Sequence, residues 1–124
     1  MNLARHPLVS LFICVLVYLL VACSPSTPLT DSEQLGQRLF LQACAACHAT
    51  TGDTVIIGPS LAGISMRAEA RTAGMDARAY ILQSITDPSA YLNPGFKDVM
   101  PKSFGTFFSE AELSDLVDYL MTLK

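Results

Sequence analysis

Cys44-Ala45-Ala46-Cys47-His48 is the one run in this 124-residue chain whose residue types and spacing point directly to chemistry. Two thiols one helical turn apart, with an imidazole next to the second, suit three tasks. A Cys-x-x-Cys pair can act as a redox disulfide, which calls for a neighbouring βαβ pattern. It can bind zinc, which needs two more ligands. Followed directly by histidine, it is the attachment motif for a covalent c-type haem. The two thiols then add across the porphyrin vinyl groups, and His48 donates a nitrogen to the iron.

The remaining cysteines and histidines decide among these. Cys14 lies inside an N-terminal apolar run and Cys23 ends it, while His6 precedes the run. His48 is therefore the only histidine of the folded part, and no spare cysteine accompanies the pair. Zinc lacks its ligands, and no strand-rich pattern supports a thioredoxin-like site. Haem remains, with Cys44 and Cys47 holding it. A second histidine ligand is excluded within one chain, so the sixth iron ligand is expected to be methionine, the usual partner in electron carriers. Met66, Met75, Met100 and Met121 are the candidates. Met121 falls in a periodic helix, where packing is its ordinary role, and Met66 and Met75 flank short helices. Met100 lies in an irregular segment before Pro101, where a loop can bring a side chain up to a flat cofactor. The expected ligand pair is His48 and Met100.

The elements needed to position these residues read as helices. Thr30-Asp31-Ser32-Glu33 is a capping box that opens a helix expected over about Asp31–Ala46, with Leu35, Leu39, Phe40 and Ala43 at helical spacing. Gly36, Phe40 and Cys44 share one face, and Gly36 leaves room for a second backbone. Thr54-Val55-Ile56-Ile57 is β-branched but has no partner strand, and is expected to be an apolar loop packed on something. Leu61–Arg71 and Met75–Thr86 suggest short helices, the second with Tyr80, Ile81 and Ile85 inward and Asp87-Pro88 as its stop. Asn93-Pro94-Gly95 marks a turn. Ser109-Glu110-Ala111-Glu112 is a second capping box before a stripe of Leu113, Leu116, Val117 and Leu120. The expectation is one all-α domain whose long loops wrap a large group.

The N-terminus carries an export signature. Arg5 precedes an apolar stretch from Leu8 to Ala22, short of the roughly 20 residues of a membrane span. Leu20-Val21-Ala22-Cys23 resembles a bacterial lipobox, in which the cysteine is lipidated and becomes the new N-terminus. Residues 1–22 then form a lipoprotein signal peptide, 23–29 a lipidated tether, and 30–124 the functional domain. An uncleaved signal anchor is the alternative. Either places the domain outside the cytoplasm, on the periplasmic face of a bacterial membrane. A net charge of −3 without a basic run gives no surface for nucleic acid.

Taken in order, Gly36 and Phe40, Cys44 to His48, Gly58-Pro59-Ser60-Leu61, Met100-Pro101, and a last helix with Leu116 and Tyr119-Leu120 resemble a class I cytochrome c over about Leu29–Lys124. The resemblance implies that the first and last helices cross at Gly36 and Phe40 against the Tyr119 region. It implies that the Pro59 carbonyl accepts the other N–H of His48, and that Leu61 packs on the haem face. The stretch from Tyr80 to Pro101 also looks like the cytochrome c domain of bacterial oxidase subunit II, without its copper domain. The chain is similar to monohaem subunits of alternative complex III as well. The implied function is single-electron transfer in a respiratory or photosynthetic chain by a membrane-tethered carrier, not an enzyme. Its partners would be a quinol-oxidising complex, a terminal oxidase or a reaction centre. A fixed subunit of a larger complex is the alternative, and a ligand-binding or peroxidase-like haem is less favoured. Lys97 and Lys102 are candidates for a positive docking rim, and Arg67 for a propionate partner.

Overall fold

The structure, a computed structural model, describes residues 11–16 and 27–124. The lipobox with Cys23, and most of the signal and tether, lie outside the described residues. Residues 11–16 are helical and exposed. Among the described residues no helix is long and apolar enough to cross a membrane.

Five helices build the domain: α1 (Asp31–Ala43), α2 (Ile64–Ala68), α3 (Ala77–Thr86), α4 (Phe104–Phe107) and α5 (Glu110–Met121). Both expected capping boxes form. Thr30 accepts from the Glu33 backbone N–H while the Glu33 carboxylate takes the Thr30 N–H, and Ser109 and Glu112 repeat the arrangement at α5. Each box satisfies two backbone donors that a helix start otherwise leaves unpaired.

The long helices pack on each other, and the sequence explains where. Gly36 is buried against α5: an added Cβ would stand 2.8 Å from Tyr119 Cβ and run into the Asp115 carbonyl. One turn on, Phe40 meets Tyr119 with ring centroids 5.6 Å apart. Leu116, at 0% exposure, sits with Leu113, Val117, Tyr119 and Leu120 in the core. Tyr80, Ile81 and Ile85 of α3 complete that core, as the inward stripe of the sequence requires. Leu35 is exposed, so the buried face of α1 is Gly36, Leu39, Phe40 and Ala43.

Several boundaries differ from the sequence reading for identifiable reasons. Helix α1 ends at Ala43 instead of Ala46, because the Phe40 carbonyl receives both the Cys44 and Ala45 N–H groups and the chain turns. The second helix is trimmed to Ile64–Ala68, since Gly63 takes a left-handed φ of 68° and Leu61 bonds back to Ala49. Helix α3 begins at Ala77 because Asp76 caps it through the Ala79 N–H. Helix α4, a single turn stacking Phe104 on Phe108, was not foreseen. Residues Val55–Ile57 form a loop as expected, but the described chain packs nothing over it. Its one regular feature is a lone bridge between Val55 and His48. Among the described residues there is no strand, and the fold is all-α.

Candidate functional site

Cys44 caps the end of α1, and the turn after it is closed by two N–H groups, those of Cys47 and His48, each 3.0 Å from the Cys44 carbonyl oxygen. That turn brings Cys44, Cys47 and His48 onto one apolar cleft. Phe40 and Ala43 of α1, Leu61 and Ile64 around the start of α2, Tyr80, Ile81 and Ile85 of α3, and Leu120 of α5 supply its walls. The segment between α3 and α4 supplies Tyr91, Leu92, Phe96, Val99 and Met100, and α4 supplies Phe104. The cleft thus lies between the helical core and two long loops, one after His48 and one before α4.

His48 is fixed from below by the loop that follows it. Its Nδ1 lies 2.8 Å from the Pro59 carbonyl oxygen. A carbonyl only accepts, so Nδ1 carries the proton and Nε2 keeps its lone pair. Gly58 presses on the ring: an added Cβ there would sit 2.8 Å from Nδ1 and closer still to Cε1. The Cys47 carbonyl takes the N–H groups of Ile57 (3.2 Å) and Gly58 (2.9 Å), tying the loop to the motif.

The thiols of Cys44 and Cys47 are free and do not form a disulfide. Burial, with the neighbouring Cys47 thiol adding to it, pushes the Cys44 thiol up to about 11. Reactive redox cysteines are tuned in the opposite direction. Among the described residues no group of three or more histidine, cysteine, aspartate or glutamate side chains is placed to hold a metal ion.

The four candidate methionines separate in space. Met100 lines the cleft with His48, half-buried. Met66 is 67% exposed, and Met75 and Met121 pack against the core. The segment bearing Met100 is braced by Asp98, which accepts from the Ser89 hydroxyl (3.0 Å) and the Lys102 ammonium (2.8 Å). Those contacts hold the Asp98 carboxyl below its usual range, the Lys102 bond most of all.

The charged residues read from sequence fare differently. Lys102 is engaged by Asp98, which weakens the idea of a lysine rim, while Lys97 lines the cleft and is exposed. Arg67 reaches the cleft but binds the carbonyls of Ala62 and Ser60, the latter at 3.1 Å. Arg71 lines the cleft too and was missed, as were Tyr91, Phe96 and Phe104. Aromatic residues scattered through an irregular segment were the available signal.

These residues fit a flat apolar cofactor. Two free thiols, one imidazole with a lone pair to give, one thioether and a wall of aliphatic and aromatic side chains meet at a single cleft. No curated protein matches the chain. The family model for cytochrome c matches residues 33–124, a span that contains every cleft residue named above. The chain belongs to the cytochrome c family, a class I c-type cytochrome carrying a single covalent haem c.

Proposed function

We propose that this haem electron carrier binds its cofactor through thioether bonds from Cys44 and Cys47, with His48 and Met100 as axial ligands. The observation that supports this most is the sorting of the methionines: Met100 alone of the four lines the cleft that His48 lines. When bound, the haem supplies a one-electron couple, ferric to ferrous. The chain's own residues set the conditions for it. Pro59 holds the His48 proton on Nδ1, which orients the ring and raises its basicity. The apolar walls would exclude water from the bound group and disfavour added positive charge on it. A haem held by both His48 and Met100 would be closed to substrates, in keeping with a carrier and not an enzyme.

The domain is residues 30–124, held at the periplasmic face of a bacterial membrane by lipid on Cys23 and a short tether, after removal of residues 1–22. The Leu20-Val21-Ala22-Cys23 run supports this reading. It serves a respiratory or photosynthetic chain, exchanging electrons with protein partners.

Ligand assignment is tested on the purified haem-loaded protein. The oxidised wild type should show the weak far-red charge-transfer band of sulfur-to-iron bonding. Met100→Ala should lose it and bind added imidazole, while Met66→Ala, Met75→Leu and Met121→Leu keep it. Persistence of the band in Met100→Ala would overturn the assignment.

A further inference from the structure

The cleft wall that carries Met100 is thinly supported. At one end Tyr91 leans on Tyr80, with ring centroids 5.8 Å apart, and at the other Phe104 stacks on Phe108. Among the described residues, none between Tyr91 and Phe104 belongs to the hydrophobic core or packs against it. Val99, next to Met100, is 59% exposed. The backbone adds little. From Pro88 to Lys102 its hydrogen bonds are local, running from the N–H groups of Ala90, Phe96 and Val99 to the carbonyls of Asp87, Asn93 and Lys97. Among the described residues, the backbone of Met100, Pro101 and Lys102 makes no bond to other backbone groups.

One side chain spans this stretch. Oδ2 of Asp98 accepts from the Ser89 hydroxyl at 3.0 Å and from the Lys102 ammonium at 2.8 Å. Ser89 lies in the turn that the Asp87 carbonyl closes at the end of α3. Lys102 directly precedes Ser103, whose carbonyl takes the N–H groups of Thr106 and Phe107 at the start of α4. Asp98 therefore joins the end of α3 to the start of α4, and its bond to Lys102 closes a ring around Val99, Met100 and Pro101. Both partners of that ion pair are solvent-exposed. Exposed contacts of this kind are worth a factor of about two to five in an opening equilibrium. They hold the wall in place without locking it.

We propose that Asp98 is the positioning residue for Met100, and that its bonds to Ser89 and Lys102 form a latch that sets how readily the wall opens to let a small neutral base take the thioether's place. The inference rests on the His48 and Met100 reading above and adds its regulation. Only the open fraction takes the base, so a factor gained in opening appears as the same factor in apparent affinity.

The test is titration of the oxidised, haem-loaded full chain with imidazole, followed by absorption. Asp98→Ala should bind imidazole at least about threefold more tightly than wild type, since both arms of the latch are lost. Lys102→Gln should give part of that gain, and none in a chain that already carries Asp98→Ala. Arg78→Ala breaks another exposed ion pair, with Asp118 outside the cleft, and should match wild type. A smaller gain in Asp98→Ala, or a Lys102→Gln effect that persists in the double variant, would overturn the proposal. So would an equal gain in Arg78→Ala, which would mark a general loosening of the fold. Met100→Ala separates this from the ligand reading. It should bind imidazole far more tightly than wild type, and adding Asp98→Ala should change that by less than about twofold, because no thioether is left to position. A larger change would show that Asp98 does not act through Met100 and would overturn the latch. Wild-type affinity in Met100→Ala would instead overturn the ligand reading itself.

Discussion

His48 Nδ1 and the Pro59 carbonyl oxygen are 2.8 Å apart, and this bond makes the ten-residue loop between them part of the candidate haem site. The ring is held from one side by that acceptor and from another by the bare backbone of Gly58. A methyl group at Gly58 has no space without moving the imidazole. Gly58→Ala should therefore cost about 1–3 kcal/mol, as overpacking of a filled site does, and shift the haem potential. Urea unfolding and potentiometry of the loaded protein check this; an unchanged potential would mean that the ring is not confined by the loop.

The same logic applies where the long helices meet. Gly36→Ala would drive a methyl group into the Asp115 carbonyl, a backbone atom that cannot rotate away. The loss should be about 2–3 kcal/mol at constant denaturant slope, with helices forced apart. Gly52→Ala is the contrast for sterics alone, since nothing lies within 4 Å there, although its φ of 61° carries a separate backbone cost. The Gly36 variant should be the worse of the two.

Ser32 ties α1 to α5 through charge. Its hydroxyl lies 2.5 Å from Asp115 Oδ1 and 2.7 Å from Asp118 Oδ2, and Arg78 of α3 bonds Asp118 at 2.6 Å. The Ser32 hydroxyl, and then Arg78, hold the Asp118 carboxyl below its ordinary value of 3.8. A depressed carboxylate stabilises the fold fully above that ordinary value and loses its contribution as pH falls from there through the lowered folded-state value. Ser32→Ala should lower stability by about 1 kcal/mol near neutrality, with a smaller difference from wild type in strong acid. Equal losses at both pH values would assign the effect to packing instead.

Thioether attachment makes a covalent prediction. Cys44 and Cys47 are free to react and lie on the same cleft. Denatured holoprotein should retain its haem, and alkylation should label neither residue. A peptide spanning 44–48 should carry the mass of one haem. Cys44→Ser should keep a single bond through Cys47 and release no cofactor on denaturation, whereas the double serine variant should release all of it.

Much of the site was legible in the order of residues because its chemistry is local. Five consecutive residues specify attachment, and counting histidines removes a second imidazole without any coordinates. The capping boxes at Thr30 and Ser109 were readable for the same reason, since each closes within four residues. The boundaries at Ala43 and Ile64 were not. They depend on which carbonyl wins a contested N–H, and the bonds from Leu61 to Ala49 and from Ala45 to Phe40 become available only as the turn forms. Helix α4 was hidden because four residues hold too little periodicity to register.

By itself, then, the sequence determined the cofactor and the helical class and pointed to Cys44 and Cys47 as the candidate attachment points, all of which follow from residue type and short-range spacing. That Met100, already favoured by its place before Pro101, lines the same cleft as His48, how Asp98 occupies Lys102, and that no described residue covers Val55 and Ile56 were decided only by tertiary structure. Each is a meeting, or a failure to meet, between residues far apart on the chain or on opposite faces of one loop. Only the packing of the folded backbone sets such distances.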